Sequence, residues 1–205
     1  MSLFVKICGL CRGEDVAAAA ALRPDALGFV FWPGSPRAVR PEDVALWTQG
    51  LPAGIERVGV FVDAPPADVR RTAEIAGLTL VQLHGREGPE ACRDAWPRVW
   101  KAFPLSRGPA DALAPYPVEA FVVDSGTATR PGGTGQTADW VAAAEFVVGS
   151  PRPVLLAGGL TPENVGRAVN QVRPWGVDAA SGVESAPGRK DAAKMKEFVR
   201  RCRES

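Results

Sequence analysis

Short apolar runs rich in β-branched residues alternate along the chain with longer segments of helical period. The runs are LFVKIC (3–8), ALGFVF (26–31), RVGVFV (57–62), LTLVQL (78–83), RVWKAF (98–103), EAFVVD (119–124), PVLLA (153–157) and WGVDAA (175–180). Between and after them lie GEDVAAAAAL, PEDVALWTQG, PADVRRTAEIA, GPEACRDAW, the short DALAPY, TADWVAAAEFVV, TPENVGRAVNQV and DAAKMKEFVRRC. Several of these open with proline in the first turn beside acidic residues, a helix-start signature. Pro41-Glu42-Asp43 and Thr161-Pro162-Glu163-Asn164 are examples.

Strict alternation of strand and helix implies a parallel sheet, because each helix returns the chain to the end where the next strand begins. Eight such units in 205 residues, about 25 residues each, fit a closed (β/α)8 TIM barrel of the smallest usual size. A doubly wound open sheet is the competing α/β architecture. Its dinucleotide fingerprint, G-x-G-x-x-G after the first strand, is absent, since that turn reads CGLCRGED. The barrel is favoured, and with no linker breaking the alternation residues 1–205 read as one domain. WPGSPR and GTATRPGGTGQT fall at strand C-ends, where a barrel keeps its active site.

Composition narrows the function. A net charge of +1 gives no reason to expect nucleic acid or an anionic membrane surface as a partner. No apolar run approaches the roughly 18 residues of a spanning helix, and the N-terminus lacks the parts of a secretory leader. A soluble cytoplasmic protein is expected. Four cysteines (Cys8, Cys11, Cys92, Cys202) and one histidine, His84, make a poor zinc set, because Cys8-x-x-Cys11 has no second pair to complete it. No metal is expected, and a lone histidine also argues against a Ser-His-Asp triad.

Strand parity then places the polar residues. In the first strand Phe4, Lys6 and Cys8 share one face and Val5 and Ile7 the other. The apolar pair suits the helix-facing side, so Lys6 and Cys8 point into the barrel, with Cys8 at the catalytic mouth. Asp124 ends the sixth strand in the same way. Asp178, near the end of the eighth, is placed to pair with Lys6 across the seam where strands 8 and 1 meet. Plain alternatives remain: Cys8 as a small buried hydrophobe, Asp124 as a loop-ordering carboxylate. The glycine loops after strands 6, 7 and 8 bring Gly133, Gly135, Gly158, Gly159, Ser181 and Gly182 to one end. Open backbone amides there, with a short helix after strand 8, suit a phosphorylated small molecule. Arg37 reads as a solvated loop charge or, beside a phosphate site, as the seat of a second anion. Trp32 is placed to wall a pocket, and His84 is left without a chemical role.

VKICGL, ALGFVFWPGSPR, VGVFV, VQLHG, Asp124, GGTGQTADW, LLAGGLTPENV and VDAASGVESAPGRKD, in that order, span essentially the whole chain. Together they resemble the phosphoribosylanthranilate isomerase family of tryptophan biosynthesis. The resemblance implies a (β/α)8 barrel that needs no cofactor and acts as monomer or homodimer. It implies an Amadori rearrangement of N-(5-phosphoribosyl)anthranilate to 1-(2-carboxyphenylamino)-1-deoxyribulose 5-phosphate. It further implies Cys8 as general base, Asp124 as general acid, Arg37 on the anthranilate carboxylate, and Asp178 and the glycine loops as substrate-binding. Ala180 stands where the family often has a serine, and Cys11 where a threonine or other polar residue is common.

The chemistry makes one hard demand. To donate a proton near pH 7, Asp124 must hold it about 4 kcal/mol more tightly than an ordinary aspartic acid, some 3 pH units. Rival readings are a sugar-phosphate epimerase, an indole-glycerol-phosphate synthase and a catalytically silent phosphate-binding module. The first needs metal-binding histidines, the second a lysine and glutamate set for which Lys6 and Lys101 are a poor match. The third has no use for Cys8 and Asp124 facing each other.

Overall fold

The computed structural model describes residues 3–105, 113–124 and 139–205. Eight parallel strands close into a barrel in chain order, each hydrogen-bonded to its sequence neighbours and the last to the first. They are β1 (Phe4–Ile7), β2 (Ala26–Val30), β3 (Glu56–Phe61), β4 (Leu80–Leu83), β5 (Val99–Pro104), β6 (Ala120–Asp124), β7 (Val154–Leu156) and β8 (Gly176–Ala179). The helices are α1 (Gly13–Ala21), α2 (Pro41–Trp47), α3 (Pro66–Ala76), α4 (Pro89–Ala95), α5 (Trp140–Gly149), α6 (Val165–Val172) and α7 (Ala192–Glu204). Every strand lies within a residue or two of its sequence expectation. No described helix is long and apolar enough to cross a membrane.

Local chemistry sets the helix ends. Pro66 opens α3 and Gly77, at φ 63°, closes it in the left-handed conformation that costs glycine least. Asp139 caps α5 by accepting from the amides of Val141 and Ala142, and Asp191 caps α7 through Ala193 and Lys194. Of DALAPY, Asp111 and Ala112 lie outside the described residues, and the rest forms a 3-10 residue and a turn. One helical expectation is corrected. In TPENV the helix starts at Val165, because Asn164 accepts the Thr161 amide at 2.8 Å and holds the preceding residues as a turn.

The period-two pattern sorts side chains into two cores. Val5, Ile7, Phe29, Leu83, Phe121 and Val123 face outward onto the helices. Ala26, Val58, Leu80, Trp100, Val122 and Leu155 fill the barrel interior. Each fully buried large side chain contributes about 1.5–3 kcal/mol of burial. At the N-terminal end Phe4 stacks on Trp175 (centroids 4.5 Å) and meets Trp100 edge-on (5.6 Å), plugging the floor. The polar interior residues therefore gather toward the opposite, C-terminal end.

One element lies outside the strand–helix alternation. After β8 the chain makes a single 3-10 turn (Ser181–Val183), where a short helix was expected, and then an antiparallel hairpin of β9 (Glu184–Ala186) and β10 (Arg189–Lys190). Gly188, at φ 77°, makes its turn possible.

Candidate active site

The β1–β8 seam carries the first part of the site. Lys6 and Asp178 are in register on the two strands, and Lys6 Nζ donates to Asp178 Oδ2 at 2.7 Å. The expected pair is present, with Lys6 fully buried. Burial pulls the Lys6 pKa down, but Asp178 and Cys8 more than offset it, so the amine is held protonated. Among the described residues, Asp178 Oδ1 is buried without a hydrogen-bond partner.

Cys8 follows β1 and continues its ladder, its amide donating to Ala179 O at 2.8 Å. The thiol is buried beside Gly28 of β2, where a Cβ would lie 2.7 Å from Sγ. That close approach explains a glycine in the middle of an apolar strand. Burial pushes the Cys8 thiol up, and Lys6 opposes this only in part. A neighbouring cation on its own favours the thiolate. The cation is there, yet desolvation outweighs it.

Cys11 takes no part in this arrangement. All four cysteines are free, and the Cys11 thiol meets Gly9 O at 3.4 Å. With Phe31, Val39 and Trp47 it lines a cavity of about 410 Å³ to which Cys8 does not contribute. No group of three or more histidine, cysteine or acidic side chains among the described residues is arranged to hold a metal.

Asp124 ends β6, buried at the same end of the barrel as Cys8. His84 Nε2 lies 3.8 Å from Asp124 Oδ2, and Gln82 Nε2 is 2.9 Å from His84 Nδ1. A donor amide at Nδ1 leaves the ring proton on Nε2, facing the carboxyl. Burial first, then Lys101 and Lys6, pull the His84 pKa down to about 4, so the ring is neutral at working pH. Lys101, also fully buried, is held by Glu87 at 3.0 Å and by the Gly85 and Ala102 carbonyls, both at 2.9 Å. Sequence reading gave His84 no chemistry, although the parity argument used on β1 carries Leu80, Gln82 and His84 to one inward face.

Arg37 is not a solvated loop charge. Its Nε and Nη2 make a bidentate pair with Glu184, at 2.8 and 2.7 Å, and both side chains are nearly buried. Glu184 also accepts from Lys190 Nζ at 2.9 Å. These two partners went unnoticed in the sequence, because the hairpin that presents them breaks the strand–helix alternation.

The anion loops are partly described. Gly158 and Gly159 follow β7 with φ of 87° and 64°, a run of left-handed backbone that only glycine adopts without strain. Asn164 Nδ2 donates to Gly159 O at 2.8 Å and fixes that loop. A Cβ at Gly182 would collide with Leu160 O, so the Ser181–Val183 turn is packed directly on it. Gly133 and Gly135 lie outside the described residues.

A closed (β/α)8 barrel with a thiol, a carboxyl and an arginine–glutamate pair at its C-terminal end is a scaffold for acid–base chemistry on an anionic small molecule. The family model for N-(5'-phosphoribosyl)anthranilate isomerase matches residues 5–201. The chain is 49% identical over 201 residues to an N-(5'-phosphoribosyl)anthranilate isomerase of Geobacter sulfurreducens, covering 97% of this chain and 98% of the relative. A solved phosphoribosyl anthranilate isomerase from Thermus thermophilus superposes with a TM-score of 0.87 at 43% identity, covering 98% of both chains. A third isomerase, solved in complex with reduced 1-(o-carboxyphenylamino)-1-deoxyribulose 5-phosphate, gives a TM-score of 0.83 at 33% identity with full coverage of both chains. The chain belongs to the N-(5'-phosphoribosyl)anthranilate isomerase family.

Proposed function

We propose that the chain converts N-(5-phosphoribosyl)anthranilate to 1-(2-carboxyphenylamino)-1-deoxyribulose 5-phosphate in tryptophan biosynthesis, with Cys8 as general base and Asp124 as general acid. The observation that carries the residue roles is their placement: each ends an inward parity series, on β1 and on β6, at the same end of the barrel. Asp124 gives its proton to the furanose ring oxygen as the C1–O bond breaks, and the anilino nitrogen's pair forms C=N. The Cys8 thiolate then takes the C2 proton. The C2–H pair becomes a C1=C2 bond, the C=N pair returns to nitrogen, and the enolamine tautomerises to the ketose.

Arg37 takes the anthranilate carboxylate, and Gly158, Gly159, Ser181 and Gly182, with Gly133 and Gly135, take the phosphate. Asp178, paired with Lys6 on the β1–β8 seam, takes part in binding the substrate. Residues 1–205 act as one domain, as monomer or homodimer in the cytoplasm, without cofactor, nucleic acid or membrane partner. The test is incubation with freshly prepared phosphoribosylanthranilate in EDTA. Formation of the ketose supports the proposal. An epimerised sugar phosphate would favour the epimerase, and binding without conversion the silent module.

A further inference from the structure

The β9–β10 hairpin has no place in an eightfold strand–helix repeat, yet it holds a densely bonded charged cluster near the barrel mouth. Glu184 and Lys190 are cross-strand partners in it. Lys190 is buried, its Nζ donating to Glu184 Oε1 and to Ala180 O, both at 2.9 Å. Its amide donates to Asp15 of α1 at 3.1 Å, and Lys194 Nζ reaches Glu184 O at 2.9 Å. Gly188 at the turn lies near the Pro36 carbonyl, so the hairpin rests on the loop that carries Arg37. Glu184 is thus fixed from three elements before it meets the arginine.

The guanidinium geometry gives this a direction. Glu184 occupies the Nε/Nη2 edge, and no described residue bonds to Nη1. A guanidinium has a second edge, the paired N–H groups of Nη1 and Nη2 facing away from Nε, that matches one further carboxylate. The arginine stem lies against Gly9, where a Cβ would sit 2.5 Å from Cδ, so it is held over the turn that directly follows Cys8.

We propose that Glu184, braced by Lys190, is the positioning residue that turns the second edge of Arg37 toward the substrate carboxylate and so sets specificity for an ortho-carboxyl aryl amine. The proposal rests on the assignment of Arg37 to that carboxylate. A mispositioned guanidinium loses the second hydrogen bond of a bidentate pair, which bears on ground state and transition state alike. The loss therefore falls on KM and spares kcat.

The test is a mutant cycle read with two probes: the reduced product, and the same compound lacking the ring carboxyl. Arg37→Ala should weaken the carboxyl probe and leave the other unchanged; equal effects on both would overturn the Arg37 assignment itself. Glu184→Ala should weaken the carboxyl probe alone, by about tenfold, and add nothing in the Arg37→Ala background. Glu184→Gln, which keeps one acceptor and the side-chain volume, should recover part of that loss and supplies the measurement if the alanine variant does not fold. KM should rise in each Glu184 variant with kcat within about threefold of the parent. Undiminished discrimination in both Glu184 variants, with Arg37→Ala still abolishing it, would overturn the proposal. So would equal weakening of both probes by Glu184→Gln.

Discussion

Cys8 and His84 show how burial decides a protonation state against simple proximity. Cys8 has a lysine beside it and still holds its proton more tightly than an exposed thiol. The alkylation rate of Cys8, which follows its thiolate fraction, should therefore keep rising with pH past the ordinary thiol value of about 8.5. A plateau reached by pH 7 would mean that Lys6 dominates after all. His84 runs the other way, with a folded pKa of about 4 against 6.5. A group whose pKa is depressed by folding contributes stability that is complete above 6.5 and is lost as pH falls toward 4. The contribution is at most about 3 kcal/mol. The stability difference between wild type and His84→Gln should shrink by up to that amount from pH 7 to pH 4. A pH-independent difference in urea unfolding would contradict the buried, neutral ring.

Among the elements, the β1–β8 seam matters most, because it closes the barrel and sets Cys8. Burying Lys6 and Asp178 leaves each dependent on the other. Lys6→Met strands a buried carboxylate and should lower stability by about 3–5 kcal/mol, whereas Lys6→Met with Asp178→Leu should lose markedly less. If the double variant loses the sum of both single effects, packing rather than the ion pair holds the seam. This pair was legible in the sequence because two adjacent strands each carried a charge of inward parity. The Arg37–Glu184–Lys190 cluster was not, since a hairpin partnership across the barrel mouth has no periodic signature. The start of α6 was misread because Thr161-Pro162-Glu163-Asn164 has the composition of a helix cap. The Asn164 side chain spends its acceptor on the Thr161 amide instead.

At the scale of the whole molecule the alternation of strands and helices specified the barrel, and the sorting of side chains into two cores follows from period two alone. The aromatic plug of Phe4, Trp100 and Trp175 escaped the sequence reading, since three residues far apart in sequence meet only once the barrel closes. It blocks one end, and at the other end stand Cys8, Asp124, Arg37 and the glycine loops after β7 and β8. The division of labour between Cys8 and Asp124 is the centre of the proposed mechanism. The most direct measurement is turnover of phosphoribosylanthranilate by Cys8→Ser and Asp124→Asn, beside the affinity of each variant for the reduced product. Turnover should fall by at least about 10²-fold in each, with affinity largely kept. Near-normal turnover in either variant would contradict the assignment of that residue.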